Sequence, residues 1–346
     1  MPHNQSLSID HPPLPPILPP TLHLGRQLDG QLDGQLDGQL GAHLGAHLGV
    51  QLGAHLGEQR FWYWRGWRIR YTCLTSALAT TPDYYHQPPL LLLHGAGSSL
   101  EQWRENLSVF AQERPVYALD LLGFGGSQKV ATALSTDLWV AQVADFWHSF
   151  LRRPMLLLGH SLGAAVALQV TAEHPEQVAR LVMLTLPPDR QEIGNAAAKV
   201  GAVVEGWFAS PVLLRPLFRL ARRPGFIRSV LRKLHQNPDR VDAALIDGFV
   251  RPTLEPGAAR MFCYLVKSRT STQFSPMTQD LIPLVKVPTL LIWGKCDRVI
   301  PIAWGQYIHT LNTQITFVQV ENAGHFFYDE SAADLHDLVA QWLTNS

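Results

Sequence analysis

Six short apolar runs constrain the fold of this chain more than any other feature of its sequence. Most positions in each run are apolar, without the alternation of a strand that has one solvated face, so both faces of such strands need cover. Helix-length patterns fall between several runs, near residues 100–111, 137–151, 162–173 and 332–343. This order predicts an α/β fold with a mostly parallel central sheet and helices on both faces. The runs are residues 90–93, 116–119, 155–158, 181–186, 289–293 and 315–320.

The folded body is predicted to begin near Arg60. Residues 64–72 alternate large apolar with basic side chains, which is typical of an edge strand with one solvated face. Residues 1–59 hold a proline cluster and then tetrapeptide repeats with regularly spaced glycines. Each glycine costs a helix about 1 kcal/mol, so this segment is predicted to be a disordered tail. The alternative interpretation is a metal-binding stripe; its residues would be His43, His47 and His55.

A long insertion, residues 187–288, separates two of the strand runs and predicts a helical cap, or lid, over the edge of the sheet. The α/β body is then residues 60–186 and 289–346. Between residues 207 and 234 the cap carries seven basic side chains and no acidic one, interleaved with apolar residues. This segment either roofs the active site or docks on an anionic membrane, and the two roles are compatible. Its prolines, which are predicted to divide it into short helices, are Pro211, Pro216 and Pro224.

The charge balance of the chain argues against nucleic-acid binding. Lys plus Arg and Asp plus Glu both number 28, so there is no net positive field to hold a phosphate backbone. The three cysteines are widely separated and form no disulfide or metal motif, which favours a reducing compartment. No apolar run approaches the roughly 18 residues of a membrane span, and no signal peptide is evident. We therefore expect a cytoplasmic protein, either free or peripheral to a membrane.

The strongest chemical motif is Gly-x-Ser-x-Gly, which directly follows one strand run and directly precedes a helical pattern. A nucleophile between a strand and a helix needs a sharp turn, and glycines on both sides leave room for it. The serine hydroxyl then stands at a helix N-terminus, where the helix dipole favours developing negative charge. Ser161 is therefore the predicted nucleophile, in an elbow formed by Gly159, His160, Ser161, Leu162 and Gly163.

A serine at neutral pH needs a base, and His325 follows the last strand run at the same edge of the sheet. Asp297 follows the preceding run and is predicted to orient the imidazole and stabilise its charged form. The order Ser161, Asp297, His325 along the chain is the order that an α/β-hydrolase arrangement requires. Asp189, after the fourth run, is the alternative acid.

A Gly-rich loop after the first run, Gly95 to Ser98, is the predicted oxyanion site. Acyl transfer needs two backbone N–H groups that face the tetrahedral oxyanion, and the predicted donors are those of Leu162 and Ala96. His94 is expected to hold this loop. The alternatives are an ordinary Gly-rich turn and the start of a dinucleotide-binding fold; the latter needs a third glycine where the chain has Leu100.

Together these motifs resemble the α/β-hydrolase superfamily over residues 60–346. That resemblance implies a serine hydrolase without a cofactor; epoxide hydrolases and haloalkane dehalogenases use a carboxylate where this chain has Ser161. Several segments look like the pheophytinase-like branch of plants and cyanobacteria, which implies a long-chain or phytyl ester of a chlorophyll pigment as substrate. Ala96 departs from the bulkier residue that is common at its position. The segments are residues 92–97, 103–107, 117–126 and 137–139.

The sequence therefore predicts a hydrolase that cleaves a hydrophobic carboxylic ester through an acyl-enzyme, with no cofactor, no metal and no nucleic-acid partner. The same triad supports cofactor-free perhydrolysis, acyl transfer or C–C bond hydrolysis, which differ in cap and pocket shape. A non-catalytic ligand-binding protein of the same fold is a further alternative.

Overall fold

Eight strands form one sheet in the computed structural model, which describes residues 56–76, 82–192 and 211–345. The strand order across the sheet is β1-β2-β4-β3-β5-β6-β7-β8. β2 is antiparallel to both of its neighbours, β1 and β4, whereas the pairings from β4 to β8 are all parallel. The strands are β1 Gln59–Trp64, β2 Trp67–Leu74, β3 Leu90–Leu93, β4 Val116–Leu119, β5 Met155–His160, β6 Val178–Leu184, β7 Thr289–Gly294 and β8 Thr316–Val320.

Helices cover both faces of this sheet, as the doubly apolar strand runs predict. Leu91 and Leu93 belong to one buried cluster, with α3 and α4, while Leu90 and Leu92 belong to another, with α12. All four leucines have no exposed surface. The described helices are α1 Pro82–His86, α2 Leu107–Phe110, α3 Thr136–Phe146, α4 Leu162–Glu173, α5 Pro211–Ala221, α6 Pro224–Leu234, α7 Ala243–Leu254, α8 Ala258–Arg269, α9 Thr278–Leu281, α10 Ile302–Leu311, α11 Phe327–Glu330 and α12 Ala332–Asn345.

The prediction of a single edge strand over residues 64–72 is wrong, because these residues span two strands and the turn between them. The chain turns at Arg65 and Gly66, both with positive φ (50° and 83°), and makes an antiparallel hairpin of β1 and β2. β1 is the edge strand, and β2 lies between β1 and β4. The alternating pattern ran through a two-residue turn, which glycine at Gly66 permits because it lacks a Cβ.

Pro216 does not divide the cap segment as predicted, because it lies inside α5. A proline within a helix costs about 3 kcal/mol. Leu214 and Phe218, two residues to either side, are buried, and their packing offsets that cost. Pro224 occupies the first position of α6, where no backbone N–H is needed.

Two predicted helices take a different form. Residues 100–111 make a 3₁₀ turn, Leu100–Trp103, followed by the short α2, and α3 continues into a π-helical turn, Trp147–Leu151. In the 3₁₀ turn the Leu100 N–H donates to Asp120 Oδ1 at 2.6 Å, so the segment is tied to the end of β4.

Several expectations fall outside the described residues. They are residues 1–55 of the disordered tail predicted over 1–59, the histidine stripe within it, and Trp207 and Phe208 of the cap. The last four residues of that predicted tail are part of the folded body, since Leu56 is buried and Gln59 begins β1. Between β6 and β7 the described part of the insertion is helical, from α5 to α9, and its extent as a cap stays a prediction. None of the helices that the structure describes is long and apolar enough to cross a membrane.

Candidate active site

Ser161 stands at a strained turn between β5 and α4. Its backbone has φ 52° and ψ −117°, a region that side-chain-bearing residues seldom occupy. The Ser161 N–H donates to the Leu184 carbonyl at 3.0 Å, and the N–H groups of Ala164 and Ala165 donate to the Ser161 carbonyl at 2.8 and 3.1 Å. The turn is therefore held by β6 on one side and by the first turn of α4 on the other.

The elbow glycines are required by close backbone approaches. A Cβ on Gly159 would overlap the Gly163 carbonyl, and a Cβ on Gly163 would overlap the Leu93 carbonyl at the end of β3. Neither obstacle is a flexible side chain that could move aside. The motif therefore reflects the tight packing of α4 against β5 and β3.

His325 and Asp297 are brought together at the ends of β7 and β8. His325 Nδ1 lies 2.8 Å from Asp297 Oδ2, and both residues are buried. Asp297 Oδ1 accepts the N–H groups of Val299 and Ile300 at 2.7 and 2.9 Å, which fixes the carboxylate. With a carboxylate at Nδ1, the imidazole carries its proton there and leaves Nε2 free to act as a base.

Asp189, the alternative acid, is engaged elsewhere. Its Oδ2 accepts the Ser275 hydroxyl at 2.7 Å, and its Oδ1 accepts the Gln191 N–H at 2.9 Å. It lines the same cavity as Ser161 without bonding to His325. The carboxylate that the fold presents to the imidazole is therefore that of Asp297.

Ser161 and His325 line one cavity of about 690 Å³. Cavities of this size hold drug-sized ligands. Among the described residues no hydrogen bond joins the Ser161 hydroxyl to His325; such catalytic bonds often tighten only in the substrate complex. The residues around the sheet and the helical insertion between β6 and β7 both contribute apolar walls, namely Leu162, Leu234, Phe249, Leu265, Phe274 and Phe326.

The two predicted oxyanion donors also line this cavity. Leu162 begins α4, where N–H groups have no intrahelical acceptor, and Ala96 lies exposed in the loop after β3. His94 holds that loop, as expected, because its ring links the loop to the residues after β4. Its Nδ1 lies 2.8 Å from the Gly95 carbonyl, and its Nε2 accepts the Leu121 N–H at 3.1 Å. Complete burial lowers the pKa of His94, which keeps the ring neutral.

Two residues beside the site have roles that the sequence did not reveal. His160, included only as part of the elbow, is buried, and its Nε2–H donates to the His325 carbonyl at 3.0 Å. Burial, followed by the charge of His325, lowers the pKa of His160 well below its ordinary value. Gln102 accepts the Gly95 N–H at 3.0 Å and so positions the loop that is predicted to hold the oxyanion. No sequence signal marked Gln102, because it lies in a 3₁₀ turn outside every motif.

Comparison with known proteins gives the same fold. A family profile described as alpha/beta hydrolase fold matches residues 88–332. The uncharacterized hydrolase YugF of Bacillus subtilis is 22% identical over 265 residues, 75% of this chain and 93% of that protein. The 2-hydroxy-6-oxo-6-(2'-aminophenyl)hexa-2,4-dienoic acid hydrolase of Metapseudomonas resinovorans is 26% identical over 264 residues, 74% and 84% of the two chains. The crystal structure of a bacterial membrane phospholipase A superposes with a TM-score of 0.68 at 22% identity, covering 88% of this chain and 92% of that one.

Proposed function

The chain belongs to the alpha/beta hydrolase family, and from that premise we propose that it is a serine-dependent hydrolase of hydrophobic carboxylic esters. The observation that carries the proposal is the Asp297–His325 bond, which lies at the wall of the cavity that also contains Ser161. A base oriented in this way beside a strained serine is the arrangement that acyl transfer needs.

The proposed reaction follows from the positions of the groups. The Ser161 hydroxyl attacks the ester carbonyl while His325 Nε2 takes its proton, and Asp297 stabilises the imidazolium. The N–H groups of Leu162 and Ala96 hold the oxyanion, and each such donor is worth about 3–4 kcal/mol of barrier. His325 then protonates the departing alcohol. Water attacks the acyl-enzyme while His325 takes its proton, the bond to Ser161 Oγ breaks, the carboxylic acid leaves, and His325 returns the proton to Ser161. The reaction uses no cofactor.

The apolar walls of the cavity favour a substrate with a long hydrophobic part. Phe249 and Leu265 of the cap face the same space as Phe326 of the body. Burial of apolar surface contributes about 25 cal/mol per Å², so binding should strengthen with chain length until the cavity is full. The phytyl ester of a chlorophyll-type pigment is the specific candidate that the sequence resemblance supplies.

Replacement of Ser161 by Ala tests the nucleophile. We expect at least a 10⁴-fold loss of kcat, a magnitude typical of triad serines, on a panel of p-nitrophenyl esters of rising chain length, with pheophytin a assayed beside it. Circular dichroism should be unchanged, and a fluorophosphonate probe should label the parent but not the variant. Ser149→Ala, at an exposed serine in the π-helical turn that follows α3, is the matched control. Near-parental turnover by Ser161→Ala would refute the assignment.

C–C bond hydrolysis is the second candidate on the same triad. The relative from Metapseudomonas resinovorans is named for a keto acid and not for an ester. A 2-hydroxy-6-oxo-dienoic acid offered beside the ester panel separates the two chemistries. Faster turnover of the keto acid, abolished in Ser161→Ala, would replace ester hydrolysis by C–C hydrolysis as the function.

A further inference from the structure

Four large apolar side chains on two consecutive cap helices are exposed, and we name these four residues the cap patch. Leu217 and Leu220 lie on α5 with 49% and 47% of their surface exposed, and Phe226 and Val230 lie on α6 with 46% and 38%. The spacings of three and four residues place each pair on one side of its helix. We propose that the cap patch docks the protein on the surface of an anionic membrane.

Packing of the cap itself does not account for these residues. The same helices bury a different set of side chains, among them Leu214 and Phe218 of α5 and Leu231 of α6. Phe218 packs against Phe262 of α8 with ring centroids 5.0 Å apart. Each helix therefore has one apolar row that contacts the protein and a second that faces solvent.

The charges around the cap patch fit a surface of lipid phosphates. Residues 211–234 contain seven basic side chains and no acidic one. In the part of the chain that the structure describes, none of the seven forms an ion pair; Arg222 donates to the Thr253 carbonyl. Because the whole chain has no net charge, this concentration of positive charge is local to the cap. The seven are Arg215, Arg219, Arg222, Arg223, Arg228, Arg232 and Lys233.

A bilayer surface suits this mixture of side chains because it has two layers. Apolar side chains enter the boundary of the acyl chains, while arginines extend to the phosphate level beside them. Each cation near an anionic leaflet strengthens binding by about fivefold.

Docking through the cap patch would also serve the proposed ester hydrolysis, on which this step rests. α6 ends at Leu234, which lines the cavity that contains Ser161. A cap held at the bilayer surface therefore brings a membrane-dissolved ester close to the cavity wall. The docking itself does not depend on catalysis, so the two claims are tested separately.

Vesicle flotation with the full chain tests the docking. We expect the protein to float with vesicles of phosphatidylcholine and phosphatidylglycerol, and to stay at the bottom with phosphatidylcholine alone or at high salt. Leu217→Ser, Leu220→Ser, Phe226→Ser and Val230→Ser combined should weaken binding at least tenfold. Arg219→Gln with Arg228→Gln should weaken it by roughly 25-fold, the product of two charges. As control, Leu254→Ser with Leu284→Ser removes two apolar side chains outside the patch that are more exposed than those of the patch, at 58% and 55%, and should leave binding unchanged.

Hydrolysis of a short, water-soluble ester is measured on every variant. Parental turnover by the patch variants shows that the body is folded and that any loss concerns docking; Ser161→Ala should still float. Binding that ignores lipid charge and salt, or patch variants that float like the parent, would overturn the proposal. Sedimentation velocity that shows a dimer dependent on the patch, without vesicle binding, would assign the surface to a second copy of the chain instead.

Discussion

The backbone of Ser161 carries the clearest mark of function at the scale of a single residue. A positive φ at a residue with a side chain costs about 1–3 kcal/mol and persists where its surroundings impose it. Here the Leu184 carbonyl and the first turn of α4 hold the residue on both sides. Ser161 precedes the first residue of α4, but its side chain accepts no hydrogen bond from the N–H groups of that helix. The residue lines the cavity instead.

The choice of acid is a second residue-scale question, and Asp297→Asn should answer it. The amide would keep an oxygen for the Val299 and Ile300 N–H groups but could present N–H₂ to His325, which favours the wrong tautomer. We expect kcat to fall by about 10³–10⁴-fold, measured on a p-nitrophenyl ester. Asp189→Asn, the matched change in the same cavity, should keep most of its turnover. The reverse order of effects would transfer the acid role to Asp189.

At the scale of elements, the site depends on how closely α4 approaches the sheet. β5, Ser161 and α4 form a continuous strand–turn–helix unit, and the two glycines set its dimensions. β7 and β8 then end side by side, so that the loops after them carry Asp297 and His325 to each other. The bond from His160 to the His325 carbonyl joins these two halves of the site.

Gly159→Ala should therefore be severely destabilising. Its Cβ meets backbone atoms of Gly163 and Ala164, which can move only if α4 moves, so we expect a loss above about 3 kcal/mol in urea unfolding. Gly225→Ala is the matched control: it lies in α6, and its Cβ would meet nothing within 4 Å. That change should stabilise by about 0.5–1 kcal/mol through helix propensity. Equal effects of the two substitutions would contradict the close-packing explanation.

At the scale of the whole molecule, the protein buries histidines that it keeps neutral. His94 and His160 are both enclosed beneath the active site, and burial is the first cause that lowers the pKa of each. The unfolded chain takes up protons at these rings below their ordinary pKa of 6.5, whereas the folded protein does not. Stability is therefore complete above that pH and decreases as the pH falls through it.

This linkage predicts acid destabilisation that begins in a mildly acidic range. Two such histidines make the free energy of unfolding fall by up to about 2.7 kcal/mol for each pH unit below about pH 6.5. Urea unfolding at stepwise lower pH measures this slope. His160→Gln should reduce the slope by up to about half, whereas His86→Gln, at an exposed residue, should leave it unchanged. Stability that holds constant or rises over the same range would show that these rings are protonated in the folded protein.

The sequence alone determined the central sheet and located the sharp turn at Ser161, because the patterns that indicate both lie within short stretches of the chain. Leu90 to Leu93 need apolar cover on both faces whichever helices provide it. Gly159 is required by the Gly163 carbonyl within the same five-residue turn, whereas the obstacle at Gly163 is the Leu93 carbonyl, far away along the chain. The order of Ser161, Asp297 and His325 was likewise visible along the chain. The alternation over residues 64–72 misled because a two-residue turn preserves it.

Only the tertiary structure decided which side chains meet. The partners concerned are far apart along the chain: His160 bonds to a carbonyl 165 residues away, and Asp297 rather than Asp189 reaches His325 because β7 and β8 end together. The bond from the Gly95 N–H to Gln102 and the burial of Leu214 and Phe218 beside Pro216 are likewise consequences of tertiary packing. Such contacts depend on how strands and helices are placed in space, and neither composition nor periodicity records that placement.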